Sequence, residues 1–281
     1  MDSESSETRS SRNRPGTTRA AAVAGLFYPA EPSRLHQQVA THLQQNPVPA
    51  DSSVQQDSRL SALIVPHAGL VYSGPIAATA YNLLTTLADE IQQVVLLGPA
   101  HRVPLQGVAL SGAAYFETPL GRLPLDREGA AELARLPGVS FNDEAHFEEH
   151  CLEVQLPFLQ QLLGEFRILP LVVGRTPAAL VADLLEQFWG RAGTLLLFSS
   201  DLSHYLDYAH AQQRDRETSA QLCRLEGELS GEQACGCYGL NGLMELGRRR
   251  QLKIELLDLR NSGDTAGDRQ RVVGYGAFAV H

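Results

Sequence analysis

LIVPHAGLVYSG, running from Leu63 to Gly74, starts as an apolar run, stops at Pro66 and His67, and continues through two glycines and a serine. Leu63, Ile64 and Val65 show no polar alternation, the pattern of a strand covered on both faces as in a parallel sheet. Pro66 has no N–H to give a central ladder, so the strand ends there and leaves His67 at its carboxyl end. The pattern returns as VVLLGPAH, Val94–His101, and again as LLLFSSDLSH, Leu195–His204. In open α/β sheets ligands bind in the crevice outside the carboxyl ends of the strands, so three such strands deliver His67, His101, Asp201 and His204 to one place. That crevice is the expected active site.

Working outward, strand and helix patterns alternate. Pro32 and Ser33 open a helix that carries Leu35, Val39 and Leu43 on one face and ends at Asn46-Pro47. Pro75–Leu87 reads as a helix entering at its proline, the crossover that makes the next strand parallel. Gly107–Gly112 gives a short strand, and Phe116–Asp126 an antiparallel ribbon around Gly121, so the sheet is mixed. Leu152, Leu156, Leu159 and Leu163 line one helical face, with Pro157 expected to kink it. Arg167–Gly174, Thr194–Phe198, Lys253–Leu259 and Val272–Val280 supply further strands. Pro177–Trp189, Gln212–Leu225 and Leu240–Arg250 supply helices. The expected architecture is a single three-layer α/β/α sandwich with a mixed, mostly parallel central sheet over residues 19–281. Residues 1–18, rich in Ser, Arg, Asp and Glu, read as a disordered tail.

Composition narrows the function. A chain of 281 residues that is 43% hydrophobic can bury a large core. A formal net charge of -9 disfavours nucleic acid and anionic membrane surfaces as partners. Its apolar runs are too short to span a bilayer. Ala20–Phe27 lies behind arginines, but the acidic residues upstream and the shortness of the run argue against an export signal. Four cysteines do not make a disulfide framework, which points to the cytoplasm.

Imidazoles are ligands for Fe, Zn or Cu, and His67 and His101 at adjacent strand ends suit one metal; two hydrogen-bonded strand-end histidines are the plainer alternative. Candidates for a third ligand are Cys235, Cys237, Asp201, Glu149 and His150. Cys235 precedes a helix, whose N-terminal N–H groups favour a thiolate, whereas burial in packing is the other fate of such a cysteine. His146 and His150, like Glu149 and Glu153, are four apart and share a helix face if that stretch is helical, which allows a second metal site or a solvated helix start. Asp201 and His204 lie three apart after a strand, a spacing at which a carboxylate orients an imidazole for proton transfer. Ser199, Ser200 and Ser203 lack a G-x-S-x-G elbow, which argues against a serine hydrolase.

PHAGLVYSG, LLGPAHRVPL, EEHCLEVQLPFLQ, SSDLSHY, the ACG-helix segment and the opening AAVAGLFYPAEPSRL together resemble the Memo family, whose bacterial and archaeal members are called AmmeMemoRadiSam system protein B. The likeness runs from about Ala20 to His281. It implies a fold similar to class III extradiol ring-cleaving dioxygenases, which are non-haem Fe(II) enzymes, and a metal held by His67, His101 and Cys235. It further implies His204 as acid/base; the spacing above adds Asp201 as the group that orients it, and His150, Glu149, Tyr72 and Cys237 are expected around the substrate or behind the ligands. A thiolate where those enzymes use a carboxylate leaves Fe(II), Cu and Zn open. The expected function is a dioxygenase-like oxidoreductase acting on a small-molecule or peptide ligand. The rival is a non-catalytic scaffold that uses the same crevice, with radical-SAM and AMMECR-type proteins as partners. Two departures stand out: Cys151 takes a place where the family more often has serine, and Cys237 adds a second thiol beside Cys235.

Overall fold

The computed structural model describes residues 17–54 and 60–281. Its strands, in chain order, are β1 (Thr18–Arg19), β2 (Ala62–Val65), β3 (Gln93–Pro99), β4 (Val108–Leu110), β5 (Tyr115–Thr118), β6 (Gly121–Pro124), β7 (Val139–Phe141), β8 (Arg167–Val173), β9 (Thr194–Ser199), β10 (His204–Leu206), β11 (Ile254–Asn261) and β12 (Val272–Val280). The helices are α1 (Pro32–Gln45), α2 (Leu70–Tyr81), α3 (Arg127–Leu133), α4 (Asp143–Phe147), α5 (Leu156–Leu162), α6 (Ala178–Glu186), α7 (Tyr208–Cys223) and α8 (Cys237–Arg250).

The large sheet runs β10-β12-β2-β9-β3-β8-β4-β7, with β11 also on β12. β2, β9, β3 and β8 are mutually parallel, whereas β12 and β4 join that core antiparallel at its two sides. Alternate residues of the apolar runs serve opposite layers. Leu63 and Val65 pack with Val39, Ile76 and Leu156 on one face, while Ala62 and Ile64 pack with Val181, Leu184 and Leu243 on the other. A strand sandwiched in this way needs apolar side chains at every position, which is why its sequence shows no alternation. The result is the three-layer sandwich with its mixed sheet. β1, β5 and β6 form a separate three-stranded sheet, β5 and β6 being the antiparallel ribbon turned at Gly121, whose φ is 125°.

Four local expectations are corrected. The helix after His67 begins at Leu70, with Pro75 inside it. The carbonyl that Pro75 cannot serve belongs to Val71, which is exposed and can be hydrated. Pro157 does not kink a helix; it sits in the first turn of α5, where its missing N–H costs no hydrogen bond, after a 3-10 turn at Glu153–Gln155. His146 and His150 share no helix face, because α4 ends at Phe147. Thr18, placed in the tail by composition, pairs with Tyr115 in β1, while residues 1–16 lie outside the described residues.

Candidate metal centre

The carboxyl ends of β2, β3 and β9 and the turn after α4 converge on a cavity of ≈ 790 Å³. His67, His101, His150, Asp201, His204 and Tyr72 all line it. The rings of His67, His101 and His150 face one another, with centroids 5.2, 5.4 and 4.6 Å apart, and one nitrogen from each lies within 4.8 Å of the others. Glycine makes the approach of the His150 segment possible: a Cβ on Gly98 of β3 would stand 2.5 Å from Cys151 Sγ.

Each of the two strand-end histidines has its tautomer set from behind. Gln155 Nε2 donates to the Pro66 carbonyl (2.9 Å) and to Ser199 Oγ (2.8 Å), while its oxygen accepts from the Tyr81 hydroxyl (2.9 Å). Ser199 gives its proton to the Cys151 carbonyl (2.7 Å). The Ser199 oxygen can therefore only accept from His67 Nδ1, 2.9 Å away, which leaves the lone pair on His67 Nε2. That nitrogen lies 3.4 Å from Cys235 Sγ. His101 donates from Nδ1 to Glu149 Oε1 (2.9 Å) and from its backbone to Oε2 (2.7 Å), so its Nε2 is also free. Oε1 of Glu149 takes the N–H groups of His150 (3.0 Å) and Cys151 (3.1 Å) as well. A carboxylate so occupied orients ligands instead of binding a metal. Burial opposes its charge, yet the hydrogen bonds from His101 and His150 hold the Glu149 carboxyl far below the usual carboxylate range. Burial likewise keeps His67 neutral, well below the usual histidine range.

Cys235 is held by its backbone N–H on the Asp201 carbonyl (3.2 Å), and its sulfur accepts the Asp201 N–H (3.2 Å). Gly236 donates to Ser200 Oγ (2.9 Å), and a Cβ there would come within 2.7 Å of Ser200 Cβ, so only glycine lets the thiol sit this close to β9. Burial first, and then the Asp201 charge, push the Cys235 thiol up. Cys237 starts α8 and packs in the apolar layer with Phe198 and Leu240. Asp201 Oδ1 accepts the His67 backbone N–H (2.7 Å). Among the described residues no hydrogen bond joins Asp201 to His204, whose ring stands against Tyr205. His101, Glu149 and Cys151 also lie within 4.8 Å of one another, but the Cys151 sulfur donates to the Pro99 carbonyl and burial raises its pKa well above the usual thiol range.

The three imidazoles are close enough to share a metal ion, and His67 with Cys235 is spaced as two ligands of one ion. For a tetrahedral ion with bonds of about 2.05 Å to nitrogen and 2.3 Å to sulfur, the two ligand atoms stand about 3.6 Å apart, close to the 3.4 Å between His67 Nε2 and Cys235 Sγ. His150 Nδ1 lies 3.2 Å from Glu149 Oε1, the carboxylate that also holds His101, which leaves Nε2 as the nitrogen of that ring for an ion. Imidazoles and a thiol together can bind a metal ion, and this donor set does not choose among iron, copper and zinc.

Phe27, Gln155, Ser199 and Arg271 complete the site and had not been singled out as its parts. Phe27 packs on His150 at 4.7 Å. A glutamine in the otherwise apolar stretch LEVQLPFL was the available signal for Gln155.

The model for Memo-like proteins matches residues 19–279. A "MEMO1 family protein" of Sulfolobus acidocaldarius is 34% identical over 275 residues, covering 90% of this chain and 96% of the relative. Another from Ignicoccus hospitalis is 36% identical over 278 residues, covering 91% and 96%. Among solved structures, an uncharacterized protein from Escherichia coli K12 superposes with a TM-score of 0.51 at 17% identity, covering 77% of this chain and 99% of that one, which shows a shared fold. Among the described residues no helix is long and apolar enough to cross a membrane.

Proposed function

The chain belongs to the family of Memo-like proteins, and from that premise we propose that its crevice holds one redox-active metal ion and oxidises an organic ligand there. His67, His101 and Cys235 would hold the ion, with His150 facing the open side. The carrying observation is the His67 ring, locked by Ser199 so that its unprotonated Nε2 points at Cys235 Sγ 3.4 Å away. Bound there, Fe(II) would supply the one-electron chemistry that activates dioxygen, as copper could; zinc suits the donors but has no redox chemistry and would fit the non-catalytic reading.

The chain's own groups do the rest. Glu149 fixes the His101 ring, and Asp201 fixes the His67 backbone. Phe27 packs on the His150 ring and gives that side of the crevice an apolar wall. His204 lines the cavity within the field of buried Asp201 and is the group placed to move a proton to or from a bound ligand.

Metal analysis of protein purified without oxygen tests this reading. One ion per chain is expected, with most of it lost in His67→Ala and in Cys235→Ser but retained in Cys237→Ser. Unchanged metal in His67→Ala overturns the assignment, and a larger loss in His150→Gln than in Cys235→Ser moves the third ligand to His150. In oxygen-consumption assays with catechol-type compounds, His204→Gln should keep its metal and lose a factor of about 10² to 10⁴ in rate. Absence of turnover in the metal-loaded wild type would favour a non-catalytic binding protein.

A further inference from the structure

The cavity also takes in the bulge that follows His204. Where β10 runs beside β12, the register shifts between His204 and Leu206, so Tyr205 bulges out of the ladder. Tyr205 has a φ of 60°, a left-handed conformation that bulky residues rarely adopt and that clusters at ligand sites. The bulge presents its ring to the cavity mouth, 64% exposed, and the guanidinium of Arg271 lies over that ring at 5.0 Å. Both residues line the same cavity as His67, His101 and His150. Among the described residues the Arg271 side chain makes no ion pair and no hydrogen bond, so its fork of donors is unengaged. Phe27, Tyr72 and Tyr275 give the intervening wall an aromatic lining.

We propose that Arg271, propped by Tyr205, is the carboxylate-binding subsite for an aromatic monoanion whose other end reaches the imidazole cluster. A planar fork matches a carboxylate through two parallel hydrogen bonds, and a cation stacked on tyrosine is held ready to make them. One charge is favoured over two. Asp201 and Asp268 also face the cavity, so a dianion such as a phosphate monoester would meet one arginine and two carboxylates. The inference deepens the reading of this crevice as a ligand site by naming the class of ligand, and it does not depend on which ion the imidazoles hold.

The test is a calorimetric titration of metal-free, full-length protein with phenyl carboxylates of increasing length, from benzoate to 4-phenylbutanoate, each beside its uncharged amide, and with phenyl phosphate. At least one acid should bind about tenfold more tightly than its amide, the discrimination expected of a charged hydrogen-bonded pair. Arg271→Gln should abolish that ratio, and Arg271→Lys should keep part of it. Arg271 is exposed, so both variants are expected to fold, and their thermal unfolding checks this. Equal binding of acid and amide, no binding of any acid, or an unchanged ratio in Arg271→Gln overturns the subsite. Tighter binding of phenyl phosphate than of every carboxylate overturns the monoanion assignment. Failure of the metal reading shows in the metal content of His67→Ala, a separate measurement.

Discussion

Glu149 and Glu153 lie four residues apart, both buried, and do opposite work. Glu149 collects the N–H groups of His101, His150 and Cys151 and stands behind the crevice histidines. Glu153 faces away from it. That carboxylate pairs with Arg19, accepts the Tyr28 hydroxyl, and takes the backbone N–H groups of Ala22 (2.8 Å) and Val23 (3.0 Å). The 3-10 turn at Glu153–Gln155 replaces the helix on which the two would have shared a face. One carboxylate thus tunes ligands, and its neighbour pins the N-terminal segment that carries Phe27 over His150. The comparison teaches that burial of an acid says little until its partners are known: imidazole and backbone N–H groups on one side, a guanidinium on the other.

Removing Glu153 should do the most damage. Glu153→Gln leaves Arg19 buried without its counter-charge, which typically costs about 3 to 5 kcal/mol. Chemical denaturation should show that loss while the folded fraction keeps its metal; a loss under about 1 kcal/mol would mean the N-terminal segment is not pinned as described.

A pH titration probes the same side. His146 gives its carbonyl to Arg19 Nε (2.8 Å) and its Nε2–H to the Ala109 carbonyl (3.0 Å), while Nδ1 is buried without a partner. Burial pushes its pKa down to about 4. The folded protein therefore binds this proton less readily than the unfolded chain, so stability is full above the ordinary histidine pKa of about 6.5 and falls as pH drops toward 4. The loss amounts to about 3 kcal/mol at most, and His146→Gln should flatten that part of the stability profile.

On the crevice side the effect moves from stability to affinity. Glu149→Gln should weaken metal binding about 10- to 100-fold, as measured by competition with a chelator, and should destabilise the metal-free protein less than Glu153→Gln does. The smallest effect belongs to Tyr28→Phe. It removes one of four donors to Glu153 and should cost about 1 kcal/mol in thermal unfolding, with metal affinity unchanged.

The strands that end in His67, His101 and the Ser199–His204 turn could be read in advance because each is an apolar run without alternation, and only a strand buried on both faces is written that way. α1 was legible for a local reason too, since Pro32 and Asn46 mark its two ends. Local signals misled where they were satisfied in an unforeseen place. Pro75 marked a helix start, but Leu70 begins α2 by donating its N–H to the Phe27 carbonyl (2.7 Å), a partner from a distant segment. The tautomer lock on His67 was not legible, because Gln155 and Ser199 meet it only through the packing of α5 on the sheet. Arg271 gives no periodic signal; its place depends on the bulge at Tyr205, which is a property of strand register and not of composition.

Among the described residues β2, which leads into His67, pairs with β9 and β12 and no other strand, and β12 follows every other strand in sequence, its end held by hydrogen bonds between Lys253 and His281. During synthesis the amino-terminal half emerges first, yet β2 has no neighbour until β9 follows and keeps an open edge until β12 arrives. The contacts that set its position are long-range in sequence, a topology that folds slowly. The ring of His67 is then set in place only once β12 has been made, and a polypeptide truncated before Val272 would leave the ribosome with an unpaired edge on β2.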